Sequence, residues 1–126
     1  MKILLDNCVH EQVAEFFPSQ EVTTAAEMGW AGLTNGELLA EASPEFDVLV
    51  TTDKNIRYQQ NLGKLPIAVI ELNSRDTRIE ALELLAPYVL KALRHTRSYL
   101  FVALYPDGRI EALAKRSKRR SARKQY

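Results

Sequence analysis

The sequence predicts an α/β fold, a three-layer sandwich on a mainly parallel sheet with a β-hairpin added at its C-terminal end. Three observations carry this expectation. The short apolar runs "KILLD" (2–6), "DVLVTT" (47–52) and "PIAVIEL" (66–72) have the continuous character of strands buried on both faces. Segments of helical spacing separate them, the alternation that covers a parallel sheet with helices. Finally, two β-rich runs in "SYLFVALYPDGRIEALA" flank Pro106-Asp107-Gly108, a turn in which Pro presets φ and Gly accepts a positive one.

Element by element, "KILLD" is the first strand. "HEQVAEFF" (10–17) sets Val13, Phe16 and Phe17 at helical spacing before Pro18 stops it. "EVTTAAEM" (21–28) reads as a short strand, and the glycine loop "GWAGLTNG" follows it. "ELLAEA" (37–42) resumes a helix that ends by Pro44. After the strand at 47–52, "KNIRYQQNLG" predicts a short helix with Gly63 as its C′ residue. From Asp76 to Arg94 the pattern predicts one helix, with Ile79, Leu82, Leu85, Leu90 and Leu93 near one face and a kink at Pro87.

With 126 residues, 46% hydrophobic and 26% charged, the chain suits one domain with one core. No apolar run is long enough to cross a bilayer, and the acid at position 6 argues against a secretory leader. The single cysteine, Cys8, has no internal disulfide partner, which fits a reducing cytoplasm. The net charge of +1 hides an asymmetry: seven of the 17 Lys and Arg fall in "KRSKRRSARKQY" (115–126), which has no acid. The reading is therefore an acidic domain over 1–114 and a basic tail over 115–126, too poor in apolar residues to fold alone. Lys115, Arg116, Lys118, Arg119 and Arg120 are its candidate contacts to nucleic-acid phosphates.

The chemistry points to carboxylates. Ligands of open parallel sheets sit outside the carboxyl ends of the strands, where Asp6 and Asp53 both fall, and Glu37 opens the helix after the glycine loop. Three carboxylates in one cleft repel by about 3 kcal/mol per pair at about 5 Å and an effective dielectric of about 20. A hard divalent cation, Mg²⁺ or Mn²⁺, would compensate them. Each residue also has a structural role open to it: Asp6 and Asp53 precede helices as N-caps, and "TNGE" (34–37) is a capping box. The remaining polar residues point away from chemistry: His10 reads as a surface residue, His95 as a helix C-terminal cation, Cys8 as a buried apolar group. Trp30 is either a lid on the core or a stacking platform for an RNA base.

"MKILLDNCVHEQVAEFF", "TAAEMGWAGLTNGELLAEA" and "DVLVTTDKNI", in this order and spacing, resemble the blocks of a small PIN-like domain over residues 1 to about 72. That class includes VapC-type toxin ribonucleases and short bacterial proteins of unknown function. The resemblance implies a Mg²⁺- or Mn²⁺-dependent endoribonuclease in which Asp6, Glu37 and Asp53 are acidic metal ligands and Asn55 a fourth, neutral site residue. It implies single-stranded or looped RNA as substrate, an antitoxin protein as partner, a homodimer as one oligomeric state, and a cytoplasmic setting. The chain departs from the short bacterial pattern at Asn7, Asn35 and Asn55-Ile56, where relatives carry acids or Asp-Phe. Those departures open an alternative, a weakened PIN-like module that acts by binding RNA or protein. A phosphoacceptor domain of the receiver type is a third reading, disfavoured because no Lys ends the "PIAVIEL" strand.

Overall fold

In the computed structural model, which describes residues 1–117, six strands form one sheet in the order β2-β1-β3-β4-β5-β6. They are β1 (Lys2–Leu5), β2 (Glu21–Thr24), β3 (Val48–Thr51), β4 (Ala68–Leu72), β5 (Tyr99–Leu104) and β6 (Ile110–Lys115). The first five run parallel, and β6 returns antiparallel to β5. The mixed α/β class, the mainly parallel sheet and the C-terminal hairpin thus stand as expected. Every residue of β3 and β4 is buried, which is why both segments are apolar without alternation.

Successive side chains leave the sheet on opposite faces and feed two apolar clusters. Leu5, Val50, Ile70 and Val102 join one, together with Leu82, Val89 and Leu93 of α3 (Ile79–Leu82) and α4 (Val89–His95). Leu4, Leu49, Val69 and Phe101 join the other, with Leu38 and Leu39 of α1 (Asn35–Ala42) and Ile56 of α2 (Ile56–Gln59). Among the described residues no helix is long and apolar enough to cross a membrane.

Several local expectations need correction. Residues 10–17 form a 3₁₀ helix, Glu11–Phe16, in which Val13 is the buried position. The second strand ends at Thr24, because the Glu27 carboxylate accepts bonds from the Thr24 N–H and hydroxyl and turns the chain. The single helix expected over 76–94 is three pieces: α3, a 3₁₀ turn at Ala86–Tyr88 containing Pro87, and α4. Proline removes a donor and clashes with the preceding turn, so the helix restarts. The restart rotates the apolar face, burying Val89 and leaving Leu90 39% exposed. Gly63 is not a C′ residue: α2 ends at Gln59, Gln60 is extended, and Gly63 lies in a 3₁₀ turn. Gly108 does what its turn requires, with φ +89 and a Tyr88 ring where a Cβ would stand.

At the C-terminal end, Lys115 is the last residue of β6. Arg116 donates its N–H to the Ser98 carbonyl and its Nε–H to the Thr96 carbonyl, each at 2.8 Å. These two bases are part of the sheet edge. Lys118, Arg119 and Arg120 lie outside the described residues.

Candidate functional site

The strand order marks the place where a doubly wound sheet would open a ligand crevice. From β1 the chain crosses to β2 on one side, then to β3 on the other, so the order reverses between β1 and β3. In doubly wound sheets the crevice lies at the carboxyl ends of the strands beside such a reversal. Asp6 immediately follows β1, and Asp53 follows β3 by two residues.

One hydroxyl joins them. Thr51 donates to Asp6 Oδ2 at 2.8 Å and accepts the Asp53 N–H at 3.0 Å. Asp6 is 7% exposed and its Oδ1 accepts the Asn7 N–H at 2.7 Å. Asp53 is half-buried; its Oδ1 accepts the Asn55 N–H at 2.8 Å and its Oδ2 the Asn35 side-chain amide at 3.0 Å. All four carboxylate oxygens therefore take a bond from the protein. Because the single Thr51 proton goes to Asp6, the Cys8 thiol, 3.6 Å from that hydroxyl, is the donor of the pair. Cys8 is exposed, contrary to the apolar role expected of it.

Asn35, Asn7 and Asn55 all act at this edge. Asn35 spends both amide protons, one on Asp53 and one on Gln59 Oε1 at 2.9 Å, leaving its carbonyl oxygen as an acceptor. Asn7 reaches the carbonyls of Trp30 and Ala31 at 3.4 and 3.3 Å and so pins the glycine loop to the crevice rim. Asn55 holds the N-cap position of α2 and supports Asp53 through its backbone. Trp30 packs edge-on against Phe46 with centroids 6.1 Å apart, the core-lid role.

Glu37 is turned to its own helix. Its carboxylate accepts the Thr34 N–H at 2.9 Å while the Thr34 hydroxyl accepts the Glu37 N–H, the reciprocal capping box. The backbone bond from Thr34, then the contact with its side chain, hold the Glu37 carboxyl below the usual range. His10 caps the 3₁₀ helix through Nδ1, and the His95 ring meets the Lys91 carbonyl at 2.9 Å near the end of α4.

A second set of charges, not anticipated from the sequence, extends the polar row across the sheet. Register pairs Thr51 with Glu71, Glu71 with Ala103, and Ala103 with Glu111. Paired residues share a face, so Asp6, Thr51, Glu71 and Glu111 line one level of the carboxyl edge. Glu71 is fully buried. Arg57 of α2 answers it with Nη2 at 2.9 Å from Oε2, reaches Glu111 with Nη1 at 3.0 Å, and lies over the Phe101 ring at 5.2 Å. Asn73 and Tyr105 complete the set, bonding Glu71 and Glu111 respectively. Burial works against the Arg57 charge, but its bonds to Glu71 and Glu111 outweigh burial and hold its pKa above the usual arginine value. The one available signal was a glutamate inside the otherwise apolar run "IAVIEL".

Among the described residues, no three His, Cys, Asp or Glu side chains gather as a metal-holding group. A hard ion would find oxygen donors here in Asp6 and Asp53, one or two carboxylates being the usual protein share of a Mg²⁺ site alongside substrate phosphates. No family model, curated protein or solved structure matches the chain.

Proposed function

We propose that the chain is a metal-dependent endoribonuclease of the PIN-like class, working in the crevice between β1 and β3. The observation that carries this reading is the pair Asp6 and Asp53, set at the carboxyl edge across the reversal in strand order and coupled through Thr51. Asp6 and Asp53 are the residues that would hold Mg²⁺ or Mn²⁺. Such an ion, when bound, lowers the pKa of an attacking water and stabilises charge on the phosphate. Thr51 fixes Asp6 relative to the backbone of Asp53, while Asn35 and Asn55 aim the Asp53 carboxylate. The two apolar clusters on opposite sheet faces suit the three-layer sandwich of that class. An antitoxin partner belongs to the same proposal.

A second reading has its own support. Each carboxylate oxygen of Asp6 and Asp53 is already bonded by the protein, and Glu37 serves its cap, as a binding module with weakened chemistry would have it. A cleavage assay on a mixed RNA pool with excess Mn²⁺ separates the two. The nuclease reading expects cleavage by the wild type and by Glu37→Gln, since Gln preserves a capping box, and none by Asp6→Asn or Asp53→Asn. Folded proteins that all bind RNA and all leave it intact would establish the module instead.

A further inference from the structure

Among the described residues, Tyr58 is the most exposed of the large hydrophobic side chains, at 81%. The exposed leucines, Leu84 and Leu90, belong to the stretch whose helices pack on the other face of the sheet. Tyr58 lies instead on the side of α1 and α2, one turn from Asp53: its N–H donates to the Asn55 carbonyl, and the Asn55 N–H donates to Asp53. A helix rises 1.5 Å per residue, which puts Tyr58 about 4.5 Å along the axis from Asn55.

The segment beneath the ring is built to be rigid. Four residues of helix have no stability of their own. Here Ile56 is fully buried and Arg57 is fastened to Glu71 and Glu111, so the residues just before Tyr58 are locked while its ring faces solvent. A buried ion pair contributes little net stability but fixes one geometry. The exposed residues around Tyr58 in the sequence are polar. Gln59 and Asn55 are exposed, and because the Gln59 carbonyl oxygen takes the Asn35 amide, its own NH₂ remains to donate; Lys54 beside them is exposed as well.

We infer that Tyr58 is a stacking platform for an unpaired nucleobase, with Asn55 and Gln59 facing the base edge and Lys54 its phosphate. This rests on reading the crevice as an RNA site and adds the residue that would hold an unpaired base near Asp53. A protein hot spot would sit in an apolar surround that excludes water. An exposed ring with exposed amides and a lysine among its sequence neighbours fits a base, whose face stacks and whose edge takes hydrogen bonds. Duplex RNA keeps its base faces covered and cannot use the ring.

The test is fluorescence anisotropy of the full chain with a labelled oligoadenylate and with an RNA duplex of equal length. It is run in EDTA so that cleavage plays no part. Tyr58→Ala should weaken single-strand binding by about tenfold, within a range of roughly 5- to 100-fold. Tyr58→Phe should keep it, and duplex affinity should be the same in all three proteins. Equal single-strand affinity of wild type and Tyr58→Ala, equal losses for both RNAs, or no single-strand binding by the wild type would each overturn the platform. So would a Tyr58-dependent self-association in sedimentation with RNA affinity untouched, which would make the ring a protein contact. Platform behaviour in EDTA combined with no cleavage in Mn²⁺ would overturn the nuclease reading alone; cleavage with Tyr58→Ala binding normally would overturn the platform alone.

Discussion

The Asn35 side-chain amide donates to Asp53 Oδ2 across 3.0 Å, joining the first turn of α1 to the turn that follows β3. Asn35→Asp would replace this bond with two facing carboxylates, a repulsion on the order of 3 kcal/mol at about 5 Å and an effective dielectric of about 20. The variant should therefore be less stable than wild type in EDTA. It should also gain more stability on adding Mn²⁺, because an ion held by the native state alone stabilises it by mass action. Thermal melts over a Mn²⁺ series read both effects. A melting curve for Asn35→Asp that ignores Mn²⁺ would remove the crevice as an ion site.

Thr51 makes the next prediction, because its hydroxyl serves Asp6 and the Asp53 backbone at once. Thr51→Val keeps the shape and removes both bonds, leaving a buried carboxylate oxygen and an amide without their partner. The expected cost is about 1–3 kcal/mol by denaturant unfolding, and Thr51→Ser should recover most of it. Indistinguishable midpoints for Val and wild type would show that the bridge is not maintained in solution.

Arg57 and Glu71 should behave as a unit. Arg57→Met leaves the fully buried Glu71 carboxylate without its counter-charge, a loss of about 3–5 kcal/mol. Arg57→Met with Glu71→Met should be near wild type or above it, since a pair of well-packed apolar groups avoids the desolvation altogether. Additive losses in the double variant would contradict the pairing.

The pH dependence follows from Glu111. Its bond from Arg57, aided by the Tyr105 hydroxyl, holds its carboxyl below the ordinary 4.5. A lowered folded value means that the stabilisation is present above 4.5 and is lost as pH falls through the folded value. Denaturant midpoints should thus fall along the acid limb below 4.5, and Glu111→Gln should flatten that limb. An unchanged acid limb in Glu111→Gln would assign the loss to other carboxylates.

How much of this could be read from the chain depended on whether the signal was local. β1, β3 and β4 were legible because burial on both faces leaves an unbroken apolar run, and the hairpin because Pro106-Asp107-Gly108 has one conformational use. Asp6 and Asp53 were legible as strand-end acids. The broken helix at Pro87 was half legible: the proline announced a defect, but which residues turned inward afterwards was decided by packing, which chose Val89 over Leu90. Arg57 and Glu71 were not legible as partners. They lie 14 residues apart, and their meeting depends on the register of β3 against β4, which no local pattern encodes. Glu37 shows the converse case, where the capping-box spacing already described what the side chain does.

The position of β1 has a kinetic consequence. This first strand lies inside the sheet, and its β3 neighbour arrives some 45 residues later, the separation between Thr51 and Asp6. Closing so long a loop is entropically opposed until the contacts on both strands form, so β1–β3 docking belongs to the slow, cooperative part of folding. The Asp6 amide, bonded to the Val50 carbonyl at 2.9 Å, should then exchange with solvent deuterium only when the whole domain opens. The carboxylate pair should therefore last as long as the native state itself.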